Sequence, residues 1–300
     1  MKANSTITVA GAGGDLGGRI VNALVTRGAI VRALVKPNTT PAEQARIENY
    51  GATVVAADPI DEVAMAKVLV GSTCVVSALN GLRDVIIDRQ TILLNAAVKA
   101  GVPRFIPSDY SADFTKTRVG DNRNFDLRRE FKQRVDQTPI KATSILNGAF
   151  MDMLGNEMPI IQRGIHRVLY WHDADQLLDF TTKDDVAAFV AAAAMDETTP
   201  RILRVAGDSI SVRGIAESMS QTSGHRYRPL WVGSIRMLSA MIGVTKIVAA
   251  QADVTFPPWQ GMQYMRDMFN GSAKLDPLDN DRYADLKWTS VSALLAGRSR

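Results

Sequence analysis

Glycines dominate a short segment near the start of the chain, directly after a run of β-branched residues. Gly11, Gly13 and Gly17 match the spacing G-x-G-x-x-x-G, whereas Gly11, Gly14 and Gly17 match G-x-x-G-x-x-G. A pyrophosphate binds backbone N–H groups in a tight turn at a helix N-terminus, where no Cβ blocks its approach. The segment therefore predicts a dinucleotide-binding turn. Its predicted contacts are Gly11, Ala12, Gly13, Gly14, Asp15, Leu16 and Gly17.

The second predicted strand indicates which dinucleotide this turn would bind. An acidic residue at this point would bind the ribose 2′-hydroxyl of NAD, whereas a cation accommodates the 2′-phosphate of NADP. No Asp or Glu lies between Gly28 and Glu43, and the stretch "VRALVKPN" contains Arg32 and Lys36. The pattern predicts NADP(H), with Lys36 at the 2′-phosphate and Arg32 as a second cation.

Further candidates follow the later strands, at the carboxyl edge of the predicted sheet, where folds of this class bind ligands. Small and polar residues in "VVAADPID", "SALNG", "RFIPSDY" and "ILNGAF" would lie along the cofactor. The additional predicted cofactor contacts are Asp58, Ser77, Ala78, Leu79, Ser108 and Asn147. Asp109 and Phe150 are the predicted substrate contacts.

Other catalytic patterns are not indicated. The Y-x-x-x-K spacing of many short-chain dehydrogenases occurs only as Tyr283–Lys287, outside the strand–helix alternation, and we interpret it as coincidental. No G-x-S-x-G nucleophile elbow is present. The three histidines, His166, His172 and His225, show no metal-ligand spacing with acidic residues, and we expect no metal site.

These candidates need a scaffold, which the first 150 residues predict. Short β-branched runs alternate with amphipathic helical stretches, a pattern typical of right-handed crossovers and a parallel sheet. We predict an α/β doubly wound (Rossmann) domain over 1–150 and a smaller C-terminal substrate lobe over 151–300. Within the first domain, helices are predicted over Asp84–Lys99 and Arg123–Asp136. The helix "KDDVAAFVAAAAM" is expected to return to the first domain, and "GIHRVLYW" and "LLDFTT" are expected to pair as strands.

Composition limits the protein class. Lys and Arg number 35 against 31 acidic residues, a net charge of +4 spread along the chain rather than clustered, which does not favour a nucleic-acid partner. A single Cys excludes an internal disulfide framework. The start of the chain has no signal-peptide pattern and the most apolar helix is too short to span a membrane, so we expect a cytoplasmic protein. We expect it to be a monomer or a homodimer.

Several segments together resemble a known family. "GAGGDLGGRI", "VRALVK", "KAGVPRFIPSDY" and "IKATSILNGAF", followed by "FTTKDDVAAFV", are similar to the NmrA-like and isoflavone-reductase-like branch of the atypical short-chain dehydrogenases. The resemblance covers nearly the whole chain. It implies an NADPH-dependent reductase that transfers hydride to a small, aromatic, enone or quinone-like substrate.

The resemblance also bears on proton transfer. In the plant reductases of this family, a Lys on the helix after the P-S-[DE] strand handles the proton. In this chain that helix contains Lys132, but an ungapped comparison puts the family position nearer Arg128–Glu130, and Arg cannot lose its proton in this role. Lys132 is the first catalytic candidate, as a general acid or a substrate anchor, and Tyr110 is the second candidate proton donor. Some NmrA-like proteins are thought to bind NADP(H) without turnover, so a redox-sensing regulator is the alternative function.

Overall fold

The computed structural model describes residues 5–154, 158–251 and 253–298. The chain divides into two compact units, and the division does not follow one cut along the sequence. Unit 1 comprises Met1–Asp109, Leu127–Ile145 and Val186–Leu203, and unit 2 comprises Tyr110–Asp126, Leu146–Asp185 and Arg204–Arg300.

Unit 1 is built on a six-stranded parallel sheet with the strand order β3-β2-β1-β4-β5-β6. This order is that of a doubly wound fold, in which the direction of winding reverses between β1 and β4. The elements up to β6 are β1 (Thr6–Ala10), α1 (Asp15–Thr26), β2 (Ile30–Val35), α2 (Pro41–Glu48), β3 (Thr53–Ala56), α3 (Glu62–Leu69), β4 (Cys74–Ser77), α4 (Gln90–Lys99), β5 (Arg104–Ile106), α5 (Arg123–Asp136) and β6 (Lys141–Ala142). The predicted Rossmann fold is confirmed.

Local sequence explains why these elements form. On α1, Ile20, Val21 and Leu24 recur at helical spacing and are fully buried, and each contributes about 1.5–3 kcal/mol by leaving water. On α2, a reciprocal capping box between Thr40 and Glu43 satisfies backbone groups at the N-terminus. The helix predicted over Asp84–Lys99 begins instead as a π-helix, Asp84–Arg89, which leads directly into α4.

Unit 2 contains two small sheets. One has the strand order β14-β10-β9 and the other β13-β11-β8. The remaining elements of the chain are β7 (Ser144–Leu146), β8 (Ala149–Phe150), β9 (Ile161–Gln162), β10 (Arg167–Trp171), β11 (Leu178–Thr181), α6 (Lys183–Met195), β12 (Ile202–Arg204), β13 (Asp208–Ile210), α7 (Val212–Ser223), β14 (Arg228–Gly233), α8 (Ile235–Val248), α9 (Pro258–Phe269) and α10 (Val291–Arg298), with 3₁₀ turns at Met151–Leu154, Arg163–Ile165 and Asn280–Arg282.

The expected pairing of "GIHRVLYW" with "LLDFTT" is wrong. These segments form β10 and β11, which lie in different sheets: β10 pairs with β9 and β14, whereas β11 pairs with β8 and β13. Alternating side chains identify a strand but carry no information on its partner, and β14 lies more than 55 residues beyond β10. The Met and aromatic side chains of α9 contribute to the buried core of unit 2, in which Met268 and Phe269 pack together.

Candidate functional site

The predicted dinucleotide turn lies between β1 and α1 in unit 1. Gly11 has a φ of +86°, and a Cβ at this position would lie 2.7 Å from the carbonyl oxygen of Ala78. A Cβ on Gly17 would overlap the carbonyl oxygen of Gly11. Because backbone atoms cannot yield to either Cβ, these two positions require glycine. The turn is thereby pressed against the segment that follows β4.

The N-terminus of α1 is open to a ligand. Its N-cap residue is Gly14, and among the described residues no side chain caps this helix end. Gly13 is exposed, and a Cβ built on it would meet no atom within 4 Å. Backbone N–H groups at a helix N-terminus carry partial positive charge. The uncapped helix end and the open space over Gly13 therefore fit a pyrophosphate.

The two cations predicted on β2 occupy different places. Lys36 is exposed and directly follows the carboxyl end of β2. Arg32 instead donates hydrogen bonds to the carbonyl oxygens of Val68 (3.1 Å) and Val70 (2.7 Å), at the C-terminal end of α3. Since α3 runs back from the carboxyl edge of the sheet, its last carbonyls lie away from the glycine turn. The assignment of Arg32 to the 2′-phosphate stays a prediction, and it would require the guanidinium to leave these two carbonyls.

A second cation near the turn escaped the sequence analysis. Arg46 is an exposed residue of α2, and its Nη2 donates a 2.6 Å hydrogen bond to the carbonyl oxygen of Gly13. This contact brings a guanidinium group to the glycine turn. The only sequence signal was an Arg on the helix that follows β2.

The ends of β3 and β4 carry the next predicted contacts. Asp58 is exposed, and its carboxylate accepts a hydrogen bond from the backbone two residues on. Ala78 donates a backbone hydrogen bond to Ala10 (2.8 Å), which continues the pairing of β1 with β4. The hydroxyl of Ser77 is fully buried and has no hydrogen-bond partner among the described residues. A buried, unsatisfied hydroxyl at the carboxyl edge of the sheet fits a bound ligand.

Ser108 holds the loop after β5 against the loop after β4. Its Oγ donates to the carbonyl oxygen of Leu79 (2.6 Å), and its backbone N–H donates to Oε1 of Gln90 (2.9 Å). Gln90 is fully buried at the start of α4, and sequence analysis missed it. Ser108 therefore stabilises the carboxyl edge of the unit 1 sheet, where the cofactor is predicted to bind.

Asp109 is a completely buried carboxylate beside Ser108. Its Oδ2 accepts a 2.6 Å hydrogen bond from the hydroxyl of Ser144. Burial raises the pKa of Asp109, while the Ser144 hydrogen bond and the positive charges of Arg128, Arg201 and Lys132 act in the opposite direction. The assignment of Asp109 as a substrate contact stays a prediction, and in the structure its carboxylate is enclosed among these groups.

Lys132 belongs to a polar network that leads to this carboxylate. Its Nζ donates to Oδ2 of Asp136 (2.6 Å), and Nε of Arg201 donates to the other oxygen of Asp136 (2.8 Å). Arg201 also donates through Nη1 to the hydroxyl of Ser144 (2.7 Å), the partner of Asp109. Partial burial would raise the pKa of Asp136, but the hydrogen bonds from Lys132 and Arg201 outweigh it and the pKa is lowered.

In unit 2, Asn147 follows β7. Its backbone N–H donates to the carbonyl oxygen of Ser111 (2.9 Å), and its carbonyl oxygen accepts from Oγ1 of Thr181 (2.6 Å). Its side chain is fully buried, and within the described ranges neither the amide nitrogen nor the amide oxygen has a hydrogen-bond partner. Leaving such a group unsatisfied costs about 1–3 kcal/mol. This carboxamide therefore fits a polar group on a ligand.

Tyr110 and Phe150 also lie in unit 2. Tyr110 is buried, with 6% of its surface exposed. Phe150 ends β8 and is half-buried, and Nζ of Lys183 lies 6.0 Å from its ring centroid. The Phe150 ring can therefore contact the Lys183 ammonium and also a flat, electron-rich ligand.

The Tyr, Lys and His residues that the sequence analysis set aside all lie in unit 2. Tyr283 and Lys287 lie in a segment that is not an α-helix, so their spacing does not place them on one helix face. Across the described ranges, no group of three or more His, Cys, Asp or Glu side chains could hold a metal ion. No helix in those ranges has both the length and the apolar composition needed to cross a bilayer.

Curated proteins similar to this chain are plant reductases. The bifunctional pinoresinol-lariciresinol reductase 1 of Linum usitatissimum is 26% identical over 263 residues, which cover 82% of this chain and 83% of that protein. The probable pinoresinol-lariciresinol reductase 3 of Arabidopsis thaliana is 27% identical over 207 residues, which cover 66% of each chain.

Solved structures agree in fold. AtPrR2 with NADP⁺ and (+)pinoresinol has a TM-score of 0.81 at 20% identity, with 99% of each chain covered. The leucoanthocyanidin reductase–NADPH complex from Vitis vinifera has a TM-score of 0.80 at 18% identity, with 98% of this chain and 99% of that chain covered. The model of the NmrA-like family matches residues 3–293. The chain therefore belongs to the NmrA-like family.

Proposed function

We propose that this protein is an NADP(H)-dependent reductase that transfers hydride to a small aromatic, enone or quinone-like substrate. The observation that carries the proposal is the turn at Gly11–Gly17, which is tightly packed against the β4 edge and leaves an uncapped helix end open to a pyrophosphate. Support comes from similar plant proteins that are reductases, and from a structural neighbour in complex with NADPH.

In this proposal, each residue of unit 1 has a defined task toward the cofactor. The N–H groups at the start of α1 bind the pyrophosphate. Lys36 and Arg46 face the 2′-phosphate and together neutralise its charge of nearly −2. Ser77 satisfies its buried hydroxyl on the ligand. NADPH, when bound, supplies the hydride from its nicotinamide ring.

Tyr110, Phe150 and Asn147 of unit 2 serve proton delivery and substrate contact in this proposal. Tyr110 is the preferred proton donor, because the ammonium of Lys132 is already bound to Asp136 and must leave that ion pair before it can act. Phe150 offers an aromatic surface to a flat substrate, and the Asn147 carboxamide offers a donor and an acceptor to a polar group on a ligand.

The cofactor assignment is tested by Lys36→Ala, with Lys67→Ala as a control that removes another exposed lysine, on α3. We expect Lys36→Ala to weaken NADPH binding about tenfold, since a cation close to a doubly charged phosphate at the surface contributes about 1–2 kcal/mol. NADH binding should stay unchanged, and the control should bind both cofactors as the wild type does. Equal losses for NADPH and NADH would refute the 2′-phosphate assignment.

A second function is a non-catalytic NADP(H) sensor, and one observation favours it. On α5, Arg128 is buried and cannot release its proton, while Lys132 is held in an ion pair. NADPH oxidation across quinones, enones and phenylpropanoid-like compounds separates the two functions. Turnover of any of them supports the reductase, whereas tight NADPH binding with no turnover and specific capture of a protein partner supports the sensor.

A further inference from the structure

Helix α8 of unit 2 exposes an unusual amount of apolar surface. Seventeen large apolar side chains are exposed among the described residues, and nine of them lie between positions 230 and 256. The most exposed of these nine are Ile247 (83%), Val248 (81%) and Val244 (61%), all on α8. Exposed apolar side chains that are scattered singly need no explanation, but a concentration of this kind marks an interaction surface.

The exposed side chains form one stripe along the helix. Met237, Met241, Val244 and Val248 follow one another at intervals of four, three and four residues. This is the spacing of the apolar seam by which one helix packs lengthwise on another. A neighbouring face of α8 is already used, because Leu238 and Ile242 are buried in the core of unit 2. The stripe is therefore a second apolar face without a partner in the described part of the chain.

We infer that the α8 stripe is the contact surface of a homodimer, in which α8 packs antiparallel against α8 of a second copy. The intervals four, three, four read the same in both directions, so a two-fold axis between Met241 and Val244 brings the stripe onto itself. Met237 then faces Val248 of the second copy, and Met241 faces its Val244. Such self-complementarity is what a two-fold interface requires.

Charge and area agree with this arrangement. The charged residues of α8 are Arg236 and Lys246, which lie about 100° and 180° around the helix axis from Met237, so neither enters the stripe. With Ile247 beside it, the stripe exposes roughly 600 Å² per copy, so a two-fold contact would bury about 1,200 Å² in total, the lower end of the range for stable interfaces. The inference does not depend on the proposed reductase activity.

Sedimentation velocity of the full chain tests the interface. We expect the wild type at micromolar concentration to sediment at twice its monomer mass of 32.6 kDa. Met241→Lys should lower dimer affinity at least tenfold, because two charges would be buried per interface. Val119→Lys places the same charge at another exposed apolar site, 76% exposed in unit 2, and should leave the dimer intact. A monomeric wild type, or equal behaviour of the two variants, would overturn the inference.

A cross-linking experiment fixes the orientation. Met241→Cys and Val244→Cys are prepared separately and then mixed under mild oxidation. The antiparallel arrangement predicts more disulfide-linked dimer in the mixture than in either variant alone, and the native Cys74 cannot contribute because it is fully buried. Equal yields in all three samples would refute the antiparallel pairing. Pelleting of monomeric wild type with anionic phosphatidylserine vesicles would also overturn the inference, since the stripe would then be a membrane contact.

Discussion

The guanidinium of Arg46 can either bind the 2′-phosphate or only stabilise the glycine turn, and replacing Arg46 by Ala distinguishes these two roles. Arg46 Nη2 lies 2.6 Å from the carbonyl oxygen of Gly13 and is exposed. A hydrogen bond to a charged group contributes about 1.5–3 kcal/mol, and exposure places Arg46 at the lower end. If the guanidinium also binds the 2′-phosphate, we expect Arg46→Ala to weaken NADPH binding about tenfold, since 1.4 kcal/mol corresponds to a factor of ten.

The assay is calorimetric titration of NADPH and NADH at low and high salt. A 2′-phosphate contact predicts a loss for NADPH alone, and this loss should shrink at high salt because ions screen exposed charges. Arg46→Lys keeps the charge without the planar fork and should recover part of the affinity. A matched loss for NADPH and NADH would refute the reasoning, since Arg46 would then stabilise only the turn through Gly13.

Two further predictions concern the proton-donor candidates and the buried carboxylate of Asp109. Tyr110→Phe should lower kcat by about 10²–10⁴-fold and leave NADPH affinity unchanged, as expected for a lost proton donor. Lys132→Met should lower kcat less. If steady-state kinetics give the reverse order, Lys132 is the donor. Burial raises the pKa of Asp109, so the stability that its protonated form provides below about pH 4 is lost as pH rises through the raised pKa. Asp109→Asn, which does not titrate, should gain in Tm relative to the wild type between pH 4 and pH 8 in thermal melts, and a constant difference would contradict the raised pKa.

Much of unit 1 could be predicted from the sequence because its signals are local. Strand–helix alternation specified the parallel sheet, and the glycines at 11 and 17 marked a turn whose packing needs no side chain. The helix predicted over Arg123–Asp136 has those bounds in the structure. Local patterns of this kind depend on neighbours within a few residues, which the sequence displays directly.

The candidate site was less predictable because its contacts join distant segments. Arg46 reaches the turn across 33 residues, and Arg201 reaches Asp136 across 65. An Arg on a helix face has the same sequence pattern whether it is solvated or binds a carbonyl, so nothing marked either residue. Arg32 shows the same limit: it lies on the expected strand, but its guanidinium binds the end of α3.

The cations of α5 bear on which substrates the proposed reductase could reduce. Arg128 cannot release its proton, and Lys132 can release one only by leaving the carboxylate of Asp136. Hydride addition to a quinone or an enone produces a stabilised anion, which water can protonate without a positioned acid. Breaking a carbon–oxygen bond in an ether leaves a basic alkoxide or phenoxide, for which a general acid contributes far more to the rate. By themselves, the cations of α5 favour quinone-like and enone acceptors over ethers, and an ether substrate would need Tyr110 as its acid.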